Sequence, residues 1–203
     1  MPGMGPRSLA VPGYGHDACG VGFIVHLKGV RSHKVVLDAL EALENLAHRG
    51  ASGSEPNTGD GAGVTIQVPD QFLRHNCAAD GIRLPPAGHY GTGILFMPRD
   101  EERRDIAKNI FASVVSEEGH HLLGWRLVPT NNDGLGATSL SAEPHMEQVF
   151  ISRGAGSVSE DEFERSLYVV RKRFEKLIQR HDDGAAEFYF PSLSCRLLVY
   201  KGM

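Results

Sequence analysis

Residues 16–27 read His16-Asp17-Ala18-Cys19-Gly20-Val21-Gly22-Phe23-Ile24-Val25-His26-Leu27, and within them a glycine-broken polar leader gives way to a β-branched and aromatic run. Such a run predicts a buried strand, with Cys19 at its first position. Ahead of it, residues 1–18 carry Pro2, Pro6 and Pro12 among Gly3, Gly5, Gly13 and Gly15, a composition that sustains neither a helix nor a core. We expect an exposed leader or propeptide there, removable without disturbing any packed element.

A cysteine nucleophile needs a base for its proton and a donor for the developing oxyanion. A free thiol has a pKa of about 8.5 and an α-amine one of about 7.7–8.0, so a cysteine whose own nitrogen is a terminal amine carries a suitable base with it. That arrangement requires cleavage between Ala18 and Cys19. Gly20 and Gly22 leave the neighbouring backbone open to close approach. The plainer role for a lone cysteine is a small buried apolar residue, and the sequence further along decides between the two.

Outward from this stretch, Val36, Leu40, Leu43 and Ala47 recur at three- and four-residue steps, with Leu37 and Leu46 widening the stripe, which predicts a core-facing helix over 34–47. The segment HRGASGSEPNTGDGAGV follows, where Gly50, Gly53, Pro56, Gly59, Gly61 and Gly63 force a long loop before a strand over 64–68. Loops of that length are commonly functional. Further elements are expected as strands near 90–97, 122–128 and 148–152 and helices over 100–116 and 160–179, the last capped by Ser159 and presenting Phe163, Leu167, Val170, Phe174 and Leu177 on one face. Two strand-like pieces lie around Ser192 and Ser194. Taken alone, the alternation of strands and helices favours a parallel α/β sheet.

With 41% hydrophobic residues in 203 and a net charge of −4, the composition is that of one globular domain without a basic stripe for nucleic acid or an anionic membrane. No window approaches the roughly 20 apolar residues of a membrane span, and the first residues lack the order of a secretory signal, so a cytoplasmic protein is expected. Three cysteines, Cys19, Cys77 and Cys195, are too few for a disulfide framework or a paired-cysteine zinc site, and the ten histidines show no ligand spacing beyond His120-His121. No metal site is expected, and Cys77 and Cys195 are read as structural.

The strings His16-Asp17-Ala18-Cys19-Gly20-Val21-Gly22-Phe23, Leu40-Glu41-Ala42-Leu43, His48-Arg49-Gly50-Ala51 and Thr58-Gly59-Asp60-Gly61-Ala62-Gly63 together resemble the start of glutamate synthase large subunits. Phe188-Tyr189, Ser192-Leu193-Ser194 and Val199-Tyr200-Lys201-Gly202-Met203 resemble the same family further on. The resemblance implies a class II glutamine amidotransferase domain of the N-terminal-nucleophile hydrolase family. Its fold would be α+β, an αββα sandwich with antiparallel sheets, in place of the parallel sheet. Residues 19–203 would form the first part of that domain, incomplete at the C-terminal end, after a propeptide at 1–18.

The same resemblance makes Cys19 the nucleophile, whose thiolate attacks the glutamine side-chain amide to give a glutamyl thioester and ammonia for a second site. It makes Arg49 the residue that binds the glutamine α-carboxylate, a role suited to a planar guanidinium with two parallel hydrogen bonds. His48 is set aside as a base in favour of the terminal amine. The glycine cluster 59–63 precedes a strand instead of joining a strand to a helix, so it is read as a wall of the glutamine pocket, with Asp60 as a turn former, and not as a dinucleotide loop. For the complete enzyme the resemblance implies 2-oxoglutarate as acceptor, FMN and an iron-sulfur cluster, and a small reductase subunit or ferredoxin as partner, with no cofactor in this segment. The Asn-Gly pair of the family's oxyanion hole is expected beyond Gly202. Two alternatives are a class II domain feeding another acceptor, which the long 48–63 loop argues against, and an inactive structural module.

Overall fold

In the computed structural model, which describes residues 20–50, 55, 57–59, 61–156, 159–182 and 184–202, the chain divides into two units, Met1–Gly61 and Ala62–Met203. Cys19, the leader and Asp60 lie outside the described residues.

The first unit is organised around α1 (His33–Asn45), which starts where the Ser32 hydroxyl accepts the Lys34 N–H at 3.2 Å. Lys34 and Asp38 add an ion pair one turn apart. The expected strand after Cys19 does not form: residues 20–32 are irregular, with Val21, Phe23 and Leu27 at 89%, 88% and 96% exposure. The composition is suited to a strand, yet a strand exists only through pairing with a neighbour, and residues 20–32 pair with none of the described residues. A single turn, Gly29 N–H to the His26 carbonyl at 2.8 Å, interrupts the run instead. The helix stripe is likewise only half covered, since no residue of α1 is buried and Leu37 and Leu40 are exposed. Ala47 falls beyond the helix, in a 3-10 turn.

The second unit contains β1 (Ala62–Gln67), α2 (Asp70–Ala79), β2 (Tyr90–Met97), α3 (Glu101–Glu117), β3 (His121–Leu127), α4 (Ala137–Ala142), β4 (His145–Ser152), α5 (Glu160–His181) and β5 (Leu197–Gly202). β1 and β5 form an antiparallel ribbon, and β4 pairs antiparallel with β2 on one side and β3 on the other. The architecture is therefore α+β with antiparallel sheets, and the parallel arrangement suggested by alternation is corrected. Because β2 and β3 both oppose β4, they run in the same direction, and α3 is a crossover between them with β4 inserted, a split βαβ arrangement. The crossover signal in the sequence is real; the inserted strand is what local pattern does not reveal.

Side chains alternate across this sheet. One face, from Leu95, Met97, Val149 and Ile151, packs on α3 through Ala107, Phe111, Val114 and Val115 and on α5 through Phe163, Leu167, Val170, Phe174 and Ile178. Gly91 in β2 makes the approach of α5 feasible, since a Cβ there would lie 2.4 Å from a Leu167 methyl. On the opposite face Tyr90 and Phe150 pack on Leu73 and Cys77 of α2, a helix that the expectations omitted. The Ser192 and Ser194 region forms no full strand; isolated bridges Thr92 to Ser194 and Phe96 to Tyr189 lay it along the free edge of β2 before the chain enters β5.

α5 runs from a capping box, in which Ser159 Oγ accepts the Glu162 N–H at 3.2 Å and the Glu162 carboxylate accepts the Ser159 N–H at 3.0 Å. Its Ser166 meets His120, which is 3% exposed, at 2.6 Å from Nε2. His120 Nδ1 accepts the Gly154 N–H at 3.1 Å, so the neutral ring carries its proton on Nε2 and donates to Ser166. Burial holds this imidazole below its usual 6.5, opposed by Glu118 and reinforced by His121. The folded form is neutral while the unfolded chain takes up a proton near 6.5, so stability is level above that pH and declines as pH falls below it toward the folded value. Urea midpoints measured from about pH 7 to pH 5 should fall for the parent chain, and the His120→Gln variant should lose that part of the slope.

Candidate active site

The corner that ends α1 carries the charged residue of interest. Leu46, at φ −89° and ψ 3°, closes the helix by donating its N–H to the Glu44 and Leu43 carbonyls. The chain then tightens into the 3-10 turn Ala47–Arg49, where the Arg49 N–H reaches the Leu46 carbonyl at 2.8 Å and the Gly50 N–H the Ala47 carbonyl at 3.1 Å. His48 caps the same corner, donating from Nδ1 to the Asn45 carbonyl at 3.0 Å. Gly50 leaves in extended geometry. Arg49 is thus held at its backbone while its side chain is exposed, and among the described residues its guanidinium has no ion-pair or hydrogen-bond partner.

Gly20, bonded to Cys19, lies against this corner. A Cβ built on Gly20 would stand 3.1 Å from Leu46 Cδ2 and 3.3 Å from Arg49 Cβ. The backbone next to the sequence-predicted nucleophile and the sequence-predicted carboxylate-binding arginine are therefore brought together, although the whole of α1 lies between them in the chain. Leu46, which makes this meeting, was read from the sequence only as part of a helix stripe. Helical spacing could place it on a face but could not indicate what that face meets.

The chain matches the family described as "Glutamine amidotransferases class-II" over residues 19–203. It belongs to that family. The match begins at Cys19. Among similar proteins, the glutamate synthase [NADPH] large chain of Bacillus subtilis (strain 168) is 42% identical over 201 residues, covering 97% of this chain and 13% of that protein. The ferredoxin-dependent glutamate synthase of Pyropia yezoensis is 42% identical over 188 residues, 92% of this chain and 12% of its own length. The glutamate synthase [NADPH] large chain of Azospirillum brasilense is 36% identical over 189 residues, again 12% of its length. The chain thus spans about an eighth of these relatives.

In this amidotransferase chain the other two cysteines are free, buried thiols. Burial pushes Cys77 up to about 11, against smaller opposing fields from Arg126 and Arg74. Cys195 is pushed up to about 12, first by burial and then by its hydrogen bond to Glu164, whose Oε2 it meets at 3.0 Å. Neither forms a thiolate at neutral pH, so neither is suited to nucleophilic attack. Glu164 also accepts from the Ser194 hydroxyl at 2.7 Å and the Cys195 N–H at 2.9 Å, tying the entry of β5 to α5. This structural role was not legible in the sequence, although the position next to Phe163 places Glu164 at the border of the buried face. Among the described residues, no group of three or more His, Cys, Asp or Glu is placed to hold a metal, and no helix is long and apolar enough to cross a membrane.

Iodoacetamide at about pH 8 should leave Cys77 and Cys195 unmodified in the folded chain and alkylate both once urea unfolds it, because the folded surroundings of both thiols, burial first among them, suppress their thiolates. Peptide mass mapping checks this, and rapid labelling of either residue in the folded state would show that its thiol is accessible.

Proposed function

We propose that this chain is the glutaminase part of a glutamate synthase, hydrolysing glutamine to glutamate and ammonia with Cys19 as nucleophile and Arg49 as the anchor for the α-carboxylate. The observation that carries the reading is the Arg49 guanidinium, without a partner among the described residues, on a closed turn beside Gly20, the residue bonded to Cys19. The start of the family match at Cys19 supports a working protein that begins there, with residues 1–18 removed.

The chemistry follows from these groups. Arg49 grips the α-carboxylate through two charge-assisted hydrogen bonds and holds the side-chain amide over the sulfur. The free α-amine of Cys19 takes the thiol proton as sulfur bonds to the amide carbon, then returns it to the departing nitrogen, releasing ammonia and leaving a thioester. Water, deprotonated by the same amine, attacks the thioester; glutamate leaves and the thiol is restored. The reading gives the base role to the α-amine and leaves His48 as the helix-end cap, its Nδ1 donating to the Asn45 carbonyl. In the complete protein the ammonia would combine with 2-oxoglutarate, with electrons from a nicotinamide-linked reductase subunit or from ferredoxin. The FMN and iron-sulfur cluster that the reading implies for that half-reaction would be held elsewhere in the complete protein. A cytoplasmic location is part of the same reading.

N-terminal sequencing of the active complete enzyme should begin at Cys19, and Cys19→Ala should abolish glutamine-dependent turnover while sparing glutamate formation from added ammonia. Active enzyme with the leader attached, or equal loss of both activities in the variant, would sink the terminal-amine mechanism.

Arg49 is separately testable. Arg49→Lys keeps the charge and loses the two-pronged grip, whereas Arg49→Ala loses both. A charge-assisted hydrogen bond contributes about 1.5–3 kcal/mol, so glutamine kcat/KM should drop roughly ten- to a hundred-fold, further for alanine than for lysine. Turnover of 4-aminobutanamide, which lacks the α-carboxylate, should be equally slow in parent and variants. Parallel loss on both substrates, with earlier melting, would assign Arg49 to the fold.

A further inference from the structure

In the second unit, α5 and the segment along the edge of β2 enclose a cleft of about 350 Å³. Both of its ends are fixed. At one, Glu164 accepts from the Ser194 hydroxyl and the Cys195 N–H, and at the other Arg171 donates to the Phe190 and Pro191 carbonyls at 3.4 and 3.2 Å. Tyr168 stands on the same face of α5 between them, its ring 5.6 Å from the Arg171 guanidinium. The edge segment lies close on β2, since a Cβ on Gly93 would be 2.3 Å from the Ser192 carbonyl oxygen.

Three polar groups lining this cleft have bonding capacity left. The exposed Arg165 guanidinium makes no hydrogen bond or ion pair among the described residues; it feels Asp161 at longer range, and that carboxylate is engaged by Arg196. Ser192 is 8% exposed, and its buried hydroxyl has no hydrogen-bond partner among the described residues, an arrangement that folded proteins rarely leave standing. Glu164 accepts a third hydrogen bond from Cys195 Sγ, one fewer than a carboxylate's roughly four lone-pair sites, and no cation pairs with it among the described residues. Leu193 and Leu197 supply apolar wall.

We infer that this cleft binds a free α-amino acid with an apolar side chain, its carboxylate on Arg165 and the Ser192 hydroxyl, its ammonium on Glu164 and its side chain against Leu193 and Leu197. The ligand class follows from the two charges. Glu164 and Arg165 are adjacent in the chain, line one cleft and are each without an ion-pair partner among the described residues, so a zwitterion matches both. A simple anion leaves Glu164 unmatched, and a simple amine leaves Arg165 so. The volume lies within the range of small-molecule sites. This site is separate from the roles proposed for Cys19 and Arg49 and does not depend on them.

The test is isothermal titration of the complete enzyme with L-leucine, which has no side-chain amide for a glutaminase to cleave. L-Leucine should bind, whereas 4-methylpentanoate, which lacks the ammonium, and 3-methylbutylamine, which lacks the carboxylate, should each bind about tenfold more weakly or worse. Arg165→Gln should weaken L-leucine binding about tenfold and Ser192→Ala several-fold, both with the melting temperature of the parent, because neither side chain is tied into the fold. Arg49→Ala should leave the L-leucine affinity unchanged. No heat of binding up to about 10 mM L-leucine, equal binding of either analogue, or an affinity that falls with Arg49→Ala and not with Arg165→Gln would each overturn the inference. The glutaminase reading is judged on glutamine turnover in the Cys19 and Arg49 variants, so either can fail while the other stands.

Discussion

The second unit depends on the ring of Phe111. It stands in the middle of α3 and meets Trp125 of β3 at 5.3 Å, Phe174 of α5 at 5.4 Å and Phe190, in the segment along the edge of β2, also at 5.4 Å between centroids. Two of these contacts are edge-to-face, the geometry that a ring quadrupole favours, and each contributes about 0.5–1.5 kcal/mol beyond simple burial. Phe174 and Phe190 also meet each other, closing the cluster. Crossover helix, final helix, outer strand and edge segment thus share one packing centre. Removing such a ring costs about 3–5 kcal/mol, a large part of the roughly 5–15 kcal/mol that holds a typical domain together.

What could be read beforehand followed the range of the interactions involved. Local, repeated signals were legible: the capping box at Ser159, the apolar stripe Phe163, Leu167, Val170 and Phe174, and the strand over 90–97 appear in the structure almost as expected. Signals that depend on a distant partner were not. Strand direction required knowing that β4 enters between β2 and β3, and the run after Cys19 has strand composition without a strand's pairing. α2 escaped notice because its apolar residues Leu73 and Cys77 are few and interrupted by polar ones.

At the candidate site the legible part was chemical and the hidden part geometric. Cys19 and Arg49 stood out because a thiol and a guanidinium in those sequence contexts resemble a family, and the family match then covered 19–203. The contact of Gly20 with Leu46 joins a glycine and a leucine, two of the least conspicuous residue types, and no periodicity relates positions 20 and 46. Both units nevertheless use one device. Gly91 admits Leu167 of α5 to the sheet, and Gly20 admits Leu46 to the backbone beside Cys19, so in each case a missing side chain sets the distance.

The inserted strand also orders events while the chain is being made. β2 and β3 leave the ribosome before β4, and in the finished sheet they share no hydrogen bonds with each other. Tyr90 must wait for Ser152 and Met97 for His145. At about 5–20 residues per second that delay lasts several seconds, long on the scale of hairpin formation or collapse. Throughout it the nascent chain presents two unpaired strand edges beside the apolar side chains of α3, a surface open to chaperones and to neighbouring copies on the same messenger. The central position of β4 therefore leaves β2 and β3 open to misassembly over the stretch of translation up to Ser152.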